Sequence, residues 1–477
     1  MLPLPTKRFF ALITGITALG GILAISGFWT EPFQEPRTGP DKPRVLILTD
    51  ITSLQAGTGE PDDGQSLIRL MLYTNELEIE GLVASSNLGH GQRVQPDLIR
   101  QVIETYGKVQ PTLLQHDRSY PPAARLLGLV KSGQLLAGPN VPVTTSVGAG
   151  RDTEASEWLI RVVDRPDPRP VWVCAWGGTA DLAQALWKVQ QTRSEKAVKD
   201  FIGKLRIHAI ADQDATGPWI RQQFPTLFYI LNRHNFRGMY RGGNTRLADS
   251  GWVATHIQQS GSPLGALYPN YAGGDIWSSR IGRVKGIKEG DSPSFLSLVP
   301  NGLNGPEQPE LGGWGGTFQR SPAGYFQDQV DSTADYATDP TPYMASVYRW
   351  RPAWQADFQA RLQWCTRPYR QANHHPQVRI DGDAAFQPLT RVISAGSDVQ
   401  FDAGNSTDPD GQSLRFNWQI YPGTLPKGFV LAGDQTARLR CRTAKEARNQ
   451  SISLLLTVTD SGQPALSRYR RIVLHVR

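Results

Sequence analysis

The feature that most constrains the fold is a strand-like run that ends in an acid, followed after a loop by two adjacent acids and a helical pattern. The run is Arg44-Val-Leu-Ile-Leu-Thr-Asp50, and the paired acids stand in Pro61-Asp62-Asp63-Gly64-Gln65-Ser66. Val45, Leu46, Ile47 and Leu48 are a short apolar stretch of strand formers, the pattern of a strand buried on both faces of a parallel sheet. From Gly64 to Tyr73 the spacing predicts a helix with Leu67, Leu70 and Met71 on one face. Such a unit puts Asp50, Asp62 and Asp63 at the carboxyl edge of the sheet, where open α/β folds bind ligands. Three carboxylates so close repel one another unless a cation or a shared proton offsets the charge. A hard cation that prefers oxygen ligands, such as calcium, is the economical answer. The plainer alternative is that Asp62 and Asp63 only cap the helix and complement its dipole.

At 477 residues the chain is long enough for two or more domains with full cores. Charged residues make up 19% and hydrophobic residues 39%, which suits a globular protein. The net charge of +7 is spread without a block of like charges, so no nucleic-acid partner is expected. Lys7-Arg8 precede an uncharged apolar run from Phe9 to Trp29. Residues 1–30 therefore read as a signal peptide or an N-terminal membrane anchor, with Ala24-Ile25-Ser26 offering a small-x-small cleavage site. The rest of the chain is expected to be exported, to the periplasm, the exterior or the membrane surface, with membrane contact only through this segment. Residues 31–43 are Pro-rich and polar and read as a tether. Cys174, Cys365 and Cys441 are too few and too far apart for a disulfide scaffold. Cys174 reads as core; a Cys365–Cys441 bridge is left open.

Strand candidates at 44–49, 79–85, 170–175 and 205–211 alternate with helix candidates at 64–74, 94–106, 152–163, 179–192 and 216–224, the signature of an α/β domain. Residues 240–345 are rich in Gly, Pro and Trp with little periodicity, and long loops of that kind are usually functional. Helical spacing returns from about Met344 to Trp364, and Asn373-His374-His375-Pro376 reads as a linker. Beyond it the period becomes two: Leu414, Phe416, Trp418 and Ile420 alternate with polar residues, as do Ile452, Leu454, Leu456 and Val458. That is the pattern of a small β-sandwich.

The acids of the first unit resemble the aspartate signature of the inosine-uridine nucleoside hydrolases. Val171-Trp-Val-Cys-Ala-Trp-Gly-Gly-Thr-Ala-Asp181-Leu-Ala is similar to that family's middle strand and loop, and Lys288-Glu-Gly-Asp291-Ser-Pro-Ser-Phe-Leu296 to its late His-Asp segment. Asp212-Gln-Asp-Ala-Thr-Gly-Pro-Trp-Ile220, Gly312-Gly-Trp-Gly-Gly316 and Arg349-Trp-Arg351, with the sandwich tail, resemble more closely a bacterial group of nucleoside-hydrolase-like proteins described as cellulose-binding. The resemblance implies an open, mostly parallel sheet with helices on both faces over 44–370, followed by a small all-β immunoglobulin-like sandwich over 371–477.

It also implies a calcium ion held by Asp50, Asp63, the carbonyl near Trp176 and Asp291, with Asp50 as general base toward a metal-bound water. Asp62 and, by a looser match, Asn87 would contact sugar hydroxyls. Asp212 and Asp214 follow a strand and either line the same pocket or cap; Trp314 either stacks on a sugar or fills core. His90 either supplies an acid or is a solvated loop residue.

The chain departs from the nucleoside-hydrolase pattern at three points. Asp50 and Asp62 are separated by an inserted loop, Leu48 replaces the motif's leading aspartate, and Gly290 stands where the leaving-group histidine would be. Two functions follow. One is a calcium-dependent hydrolase of N-glycosyl or related glycosyl bonds. The other is a carbohydrate- or cellulose-binding protein that keeps the fold and metal without the chemistry. The partner is a small sugar, a nucleoside-like ligand or a polysaccharide.

Overall fold

The computed structural model describes residues 42–55, 61–85, 93–273, 285–331 and 342–477. The N-terminal segment, Asn87 and His90 lie outside the described residues. No helix among those described is long and apolar enough to cross a membrane.

Eight strands make the main sheet: β1 (Arg44–Thr49), β2 (Glu78–Ala84), β3 (Val130–Ser132), β4 (Val171–Ala175), β5 (Leu205–Ile210), β6 (Phe228–Asn232), β7 (Phe318–Arg320) and β8 (Phe326–Asp328). Their order is β3-β2-β1-β4-β5-β6-β8-β7, and every neighbouring pair is parallel except β7–β8. From β1 the chain builds outward through β2 and β3, then crosses back to start β4 on the other side of β1. The carboxyl ends of β1 and β4 therefore flank a topological switch point, the place where open α/β sheets form a ligand crevice.

The helices between these strands include α1 (Asp62–Met71), α2 (Pro96–His116), α3 (Ala123–Gly128), α4 (Glu154–Asp164) and α5 (Ala180–Thr192). They lie on both faces, as the residues of β1 show. Val45 and Ile47 share a core with Leu67 and Ile68 of α1 and Ile99 and Val102 of α2. Leu46 and Leu48 point the other way, into a core with Leu159 of α4 and Leu182 of α5. The alternation is the two-residue period of a strand, with both faces apolar because both are covered. α1 begins at Asp62 itself, so both acids stand in its first turn, where the helix dipole favours negative charge.

The C-terminal strands are β9 (Leu389–Ile393), β10 (Asp398–Asp402), β11 (Leu414–Ile420), β12 (Val430–Ala432), β13 (Arg438–Arg442), β14 (Ser451–Asp460) and β15 (Ser467–Val476). They form two sheets, β10-β13-β12 and β11-β14-β15-β9. Phe401 and Leu439 of one sheet and Trp418, Leu454, Leu456 and Ile472 of the other share a separate core. The period-two positions of β14 are buried, and Leu455 between them is buried in the first core.

The stretch expected as a linker is instead a buried junction. His375 Nε2 lies 2.7 Å from Asp357 Oδ2 in the helix Arg351–Trp364, and His374 Nδ1 lies 3.0 Å from Asp410 Oδ1 of the sandwich. Arg471, fully buried in β15, donates to the carbonyl oxygens of Leu303 at 2.9 Å and Gly312 at 3.1 Å. The Tyr469 N–H donates to Asn301 O at 3.0 Å. Buried polar groups persist only when partnered, and here the partners come from both sides of the junction. The bridge left open between Cys365 and Cys441 does not form. All three cysteines are free and buried, and Cys365 belongs to the first core while Cys441 belongs to the sandwich core.

Candidate functional site

β1 and α1 deliver the first acids to the crevice, and the segment leading into the short helix Ser292–Leu296 delivers the last. Ligand oxygens of Asp62, Asp63 and Asp291 all lie within 4.8 Å of one another. Asp63 and Asp291 are buried, and Asp62 is half-buried. Thr49, the last residue of β1, donates its hydroxyl to Asp63 Oδ1 in a short hydrogen bond, which fixes that carboxylate against the strand end. Two oxygens on one calcium ion, each bound at roughly 2.3–2.6 Å, stand at most about 5 Å apart, so this trio fits a single hard cation. Among the described residues no histidine or cysteine joins the group, so its chemistry is all oxygen.

The structure regroups the expected ligands. Asp62, expected as a sugar contact, stands with Asp63 and Asp291. Asp50, buried at the end of β1, stands against Gly177 at the end of β4: a Cβ on Gly177 would come within 2.6 Å of Asp50 Cγ. Glycine at 177 is thus what lets the strand-end acid sit across the switch point. The Trp176 carbonyl, expected as a ligand, accepts a short hydrogen bond from Gln213 Nε2, which also donates to Ile210 O at 2.9 Å.

Two expected contacts are corrected. Trp314 is fully buried, its indole ring edge-on to Tyr469 with centroids 6.4 Å apart. It fills core beneath the sandwich and presents no face on which a sugar can stack. Asp214 is also buried and accepts from Thr179 N at 3.0 Å, Thr216 N at 2.8 Å and the Thr216 hydroxyl at 2.6 Å. It ties the loop after β4 to the start of the helix Thr216–Gln223 and is the capping alternative realised. Burial raises its pKa above the ordinary carboxylate value, against the opposing pull of these hydrogen bonds. Asp212 is spent on Arg221 at 2.8 Å and Arg233 at 3.0 Å.

Phe236 had no signal in the sequence. A Cβ on Gly290 would meet its ring at 3.0 Å and Asp62 Oδ2 at 3.5 Å. Where the resemblance would put a leaving-group histidine, the space beside Asp62 is therefore taken by an aromatic ring. Arg237 covers that ring with its guanidinium 4.3 Å from the centroid.

A parallel sheet with carboxylates gathered at its switch point defines a nucleoside-hydrolase-like α/β protein. The chain belongs to the family described as cellulose-binding Sde182, nucleoside hydrolase-like domain, which matches residues 44–318. Residues 398–476 match the C-terminal domain of cellulose-binding protein Sde0182. A nucleoside hydrolase-related hypothetical protein from Saccharophagus degradans, described as associated with carbohydrate metabolism, is 33% identical over 91% of this chain and 100% of its own, with a TM-score of 0.76. The PKD domain from the KIAA 1837 protein is 16% identical over 21% of this chain and 87% of its own, with a TM-score of 0.16. The titin M3 domain is 13% identical over 21% and 96%, with a TM-score of 0.15. Scores that low carry no argument about the tail. No curated protein matches the chain.

Proposed function

We propose that this is an exported saccharide-binding protein whose nucleoside-hydrolase-like crevice holds a sugar through calcium on Asp62, Asp63 and Asp291. The observation that carries the reading is the pairing of a close carboxylate trio with Phe236 in the place of a leaving-group acid. Bound calcium would supply positive charge for sugar hydroxyls, and the half-buried Asp62 would accept from them. The family's description as cellulose-binding points to a polysaccharide, and the described carbohydrate association of the Saccharophagus protein points the same way.

Asp50 favours a second reading, hydrolysis of a glycosyl bond whose leaving group needs no proton. It is a buried acid at the head of the crevice, the position of a general base. Proton transfer by such a base contributes on the order of 10²–10⁴-fold to rate.

Calorimetric titration of calcium into wild type and Asp291→Asn tests the site. A loss of at least tenfold in affinity is expected, and equal affinity in both would sink the shared ion. Cello-oligosaccharides and nucleosides, offered with calcium or with chelator, then separate the readings. Binding without product supports the first. Turnover that collapses in Asp50→Asn supports the second.

A further inference from the structure

The segment that carries Asp291 has almost no regular structure of its own. Gly286 and Ile287 are tied by backbone bonds to Tyr271 and Ala248, and from there to the helix at Ser292 the segment is gripped by side chains of α1. Gln65 Nε2 donates to Gly286 O at 2.9 Å, and Gln65 Oε1 accepts from Lys288 N at 2.6 Å. One turn further along α1, Arg69 grips Glu289 with both arms of its fork, Nε to Oε2 at 2.5 Å and Nη2 to Oε1 at 3.0 Å. Glu289 also accepts from the Tyr268 hydroxyl at 2.5 Å and the Ser292 hydroxyl at 2.7 Å. Arg69 and Glu289 are both fully buried. Arg69 is fixed in turn by Gln355 Oε1 at 3.0 Å and by the Phe358 ring, 3.9 Å beneath its guanidinium.

From these contacts we infer that Gln65 and the Arg69–Glu289 pair are positioning residues that set the distance from Asp291 to Asp62 and Asp63. The inference deepens the calcium reading and rests on it. The reason is geometric. α1 carries Asp62 and Asp63 on its first turn and the two gripping residues on the next turns, so one rigid element holds both halves of the trio. Glu289 is two residues from Asp291, too close for the grip to shift without moving the ligand. A fork-to-fork pair fixes orientation as well as distance, which a lysine or a single hydrogen bond would not. Burial acts to lower the pKa of Arg69, but the charge and hydrogen bonds of Glu289 outweigh it and raise it, so the guanidinium stays charged.

The test compares Glu289→Gln and Arg69→Met with Arg44→Met. The last breaks another buried pair, Arg44 Nε to Glu80 at 2.6 Å, at the opposite edge of the sheet. Tyr268→Phe, which removes one donor to Glu289, serves if the stronger variants do not fold. Two quantities are read: calcium affinity by calorimetry, and hydrogen exchange of residues 286–292 by mass spectrometry. The expected result is at least tenfold weaker calcium binding and at least tenfold faster exchange in that segment for the clamp variants. Arg44→Met should lose comparable thermal stability and leave both readings within twofold of wild type. For Tyr268→Phe both changes have the same sign and about twofold or more in size. Clamp variants that bind calcium as wild type does, or a segment that exchanges no faster than in Arg44→Met, overturn the inference. If wild type itself takes up no calcium, the proposed function falls, and exchange alone decides whether α1 holds the segment.

Discussion

Replacing Trp314 by alanine separates a core role from a ligand role. The indole is fully buried among residues of the first core, edge-on to Tyr469, and its backbone N–H is held by Asn304 Oδ1 at 3.0 Å. A buried aromatic side chain covers about 150–250 Å², worth roughly 4–6 kcal/mol at about 25 cal/mol per Å². Measured tryptophan-to-alanine truncations in cores cost about 3–5 kcal/mol. An unfolding entropy of about 2.1 cal/mol/K per residue gives roughly 0.9 kcal/mol/K over the folded part of this chain, so a loss of about 4 kcal/mol lowers Tm by about 4 °C. Differential scanning calorimetry and urea denaturation with two probes measure the change, and saccharide binding of the folded variant is measured beside them. An unchanged Tm together with abolished saccharide binding would refute the core assignment and return Trp314 to the ligand.

Acid should loosen the fold. Burial pushes His208 and His375 down to about 3 and His116 to about 4, so each is neutral in the fold and charged in the unfolded chain below about pH 6.5. Their contribution is whole above that value and is lost as pH falls toward 4. Asp181, pushed up by burial to about 6, works in the opposite sense. Each of these histidines adds a slope of about 1.4 kcal/mol per pH unit between about pH 6 and 4, and Asp214 and Asp328, also raised by burial, join Asp181 in offsetting part of it. Urea midpoints at a series of pH values check it, and a flat profile would contradict it. Removing residues 373–477 strips His375 and Arg468 from Asp357, and losing one partner of a buried pair costs about 3–5 kcal/mol. Residues 42–372 alone should therefore melt well below the full chain or aggregate, as size-exclusion chromatography and a thermal scan would show.

The alternating α/β frame was legible because β1 and β4 are apolar runs, β2 and β5 are rich in strand formers, and the stretches between them keep helical spacing. What escaped was short or atypical. β3 spans three residues, too few for a period. β6, five residues long, falls between the helix candidate at 216–224 and the loop-rich stretch from 240, where no element is expected. α2 runs through Pro111, where a helix was expected to stop near residue 106. In the site, Asp63 and Asp291 were legible as acids at motif positions. The contacts of Asp62 and Phe236 were not, because they are set where distant segments meet. The buried His374-His375 were misread, and Trp314 was left between core and ligand, for the same reason. A tryptophan between glycines and a histidine pair before proline look exposed until the sandwich is docked onto them. Glu289 stands in a quoted motif but has no role of its own there, since its partner lies 220 positions earlier in the chain.

The crowding at Gly290 ties two distant positions together. A Cβ at 290 would stand 3.0 Å from the Phe236 ring, tighter than an ordinary contact, so the ring must give way slightly to admit any side chain there. Truncating Phe236 first would leave a cavity beside Asp62 and lower stability with no gain in chemistry. Each of the two changes is therefore expected to cost stability when made alone. Glycine at 290 and the ring at 236 are thus coupled by packing across the edge of the carboxylate trio, and a change at one calls for a change at the other.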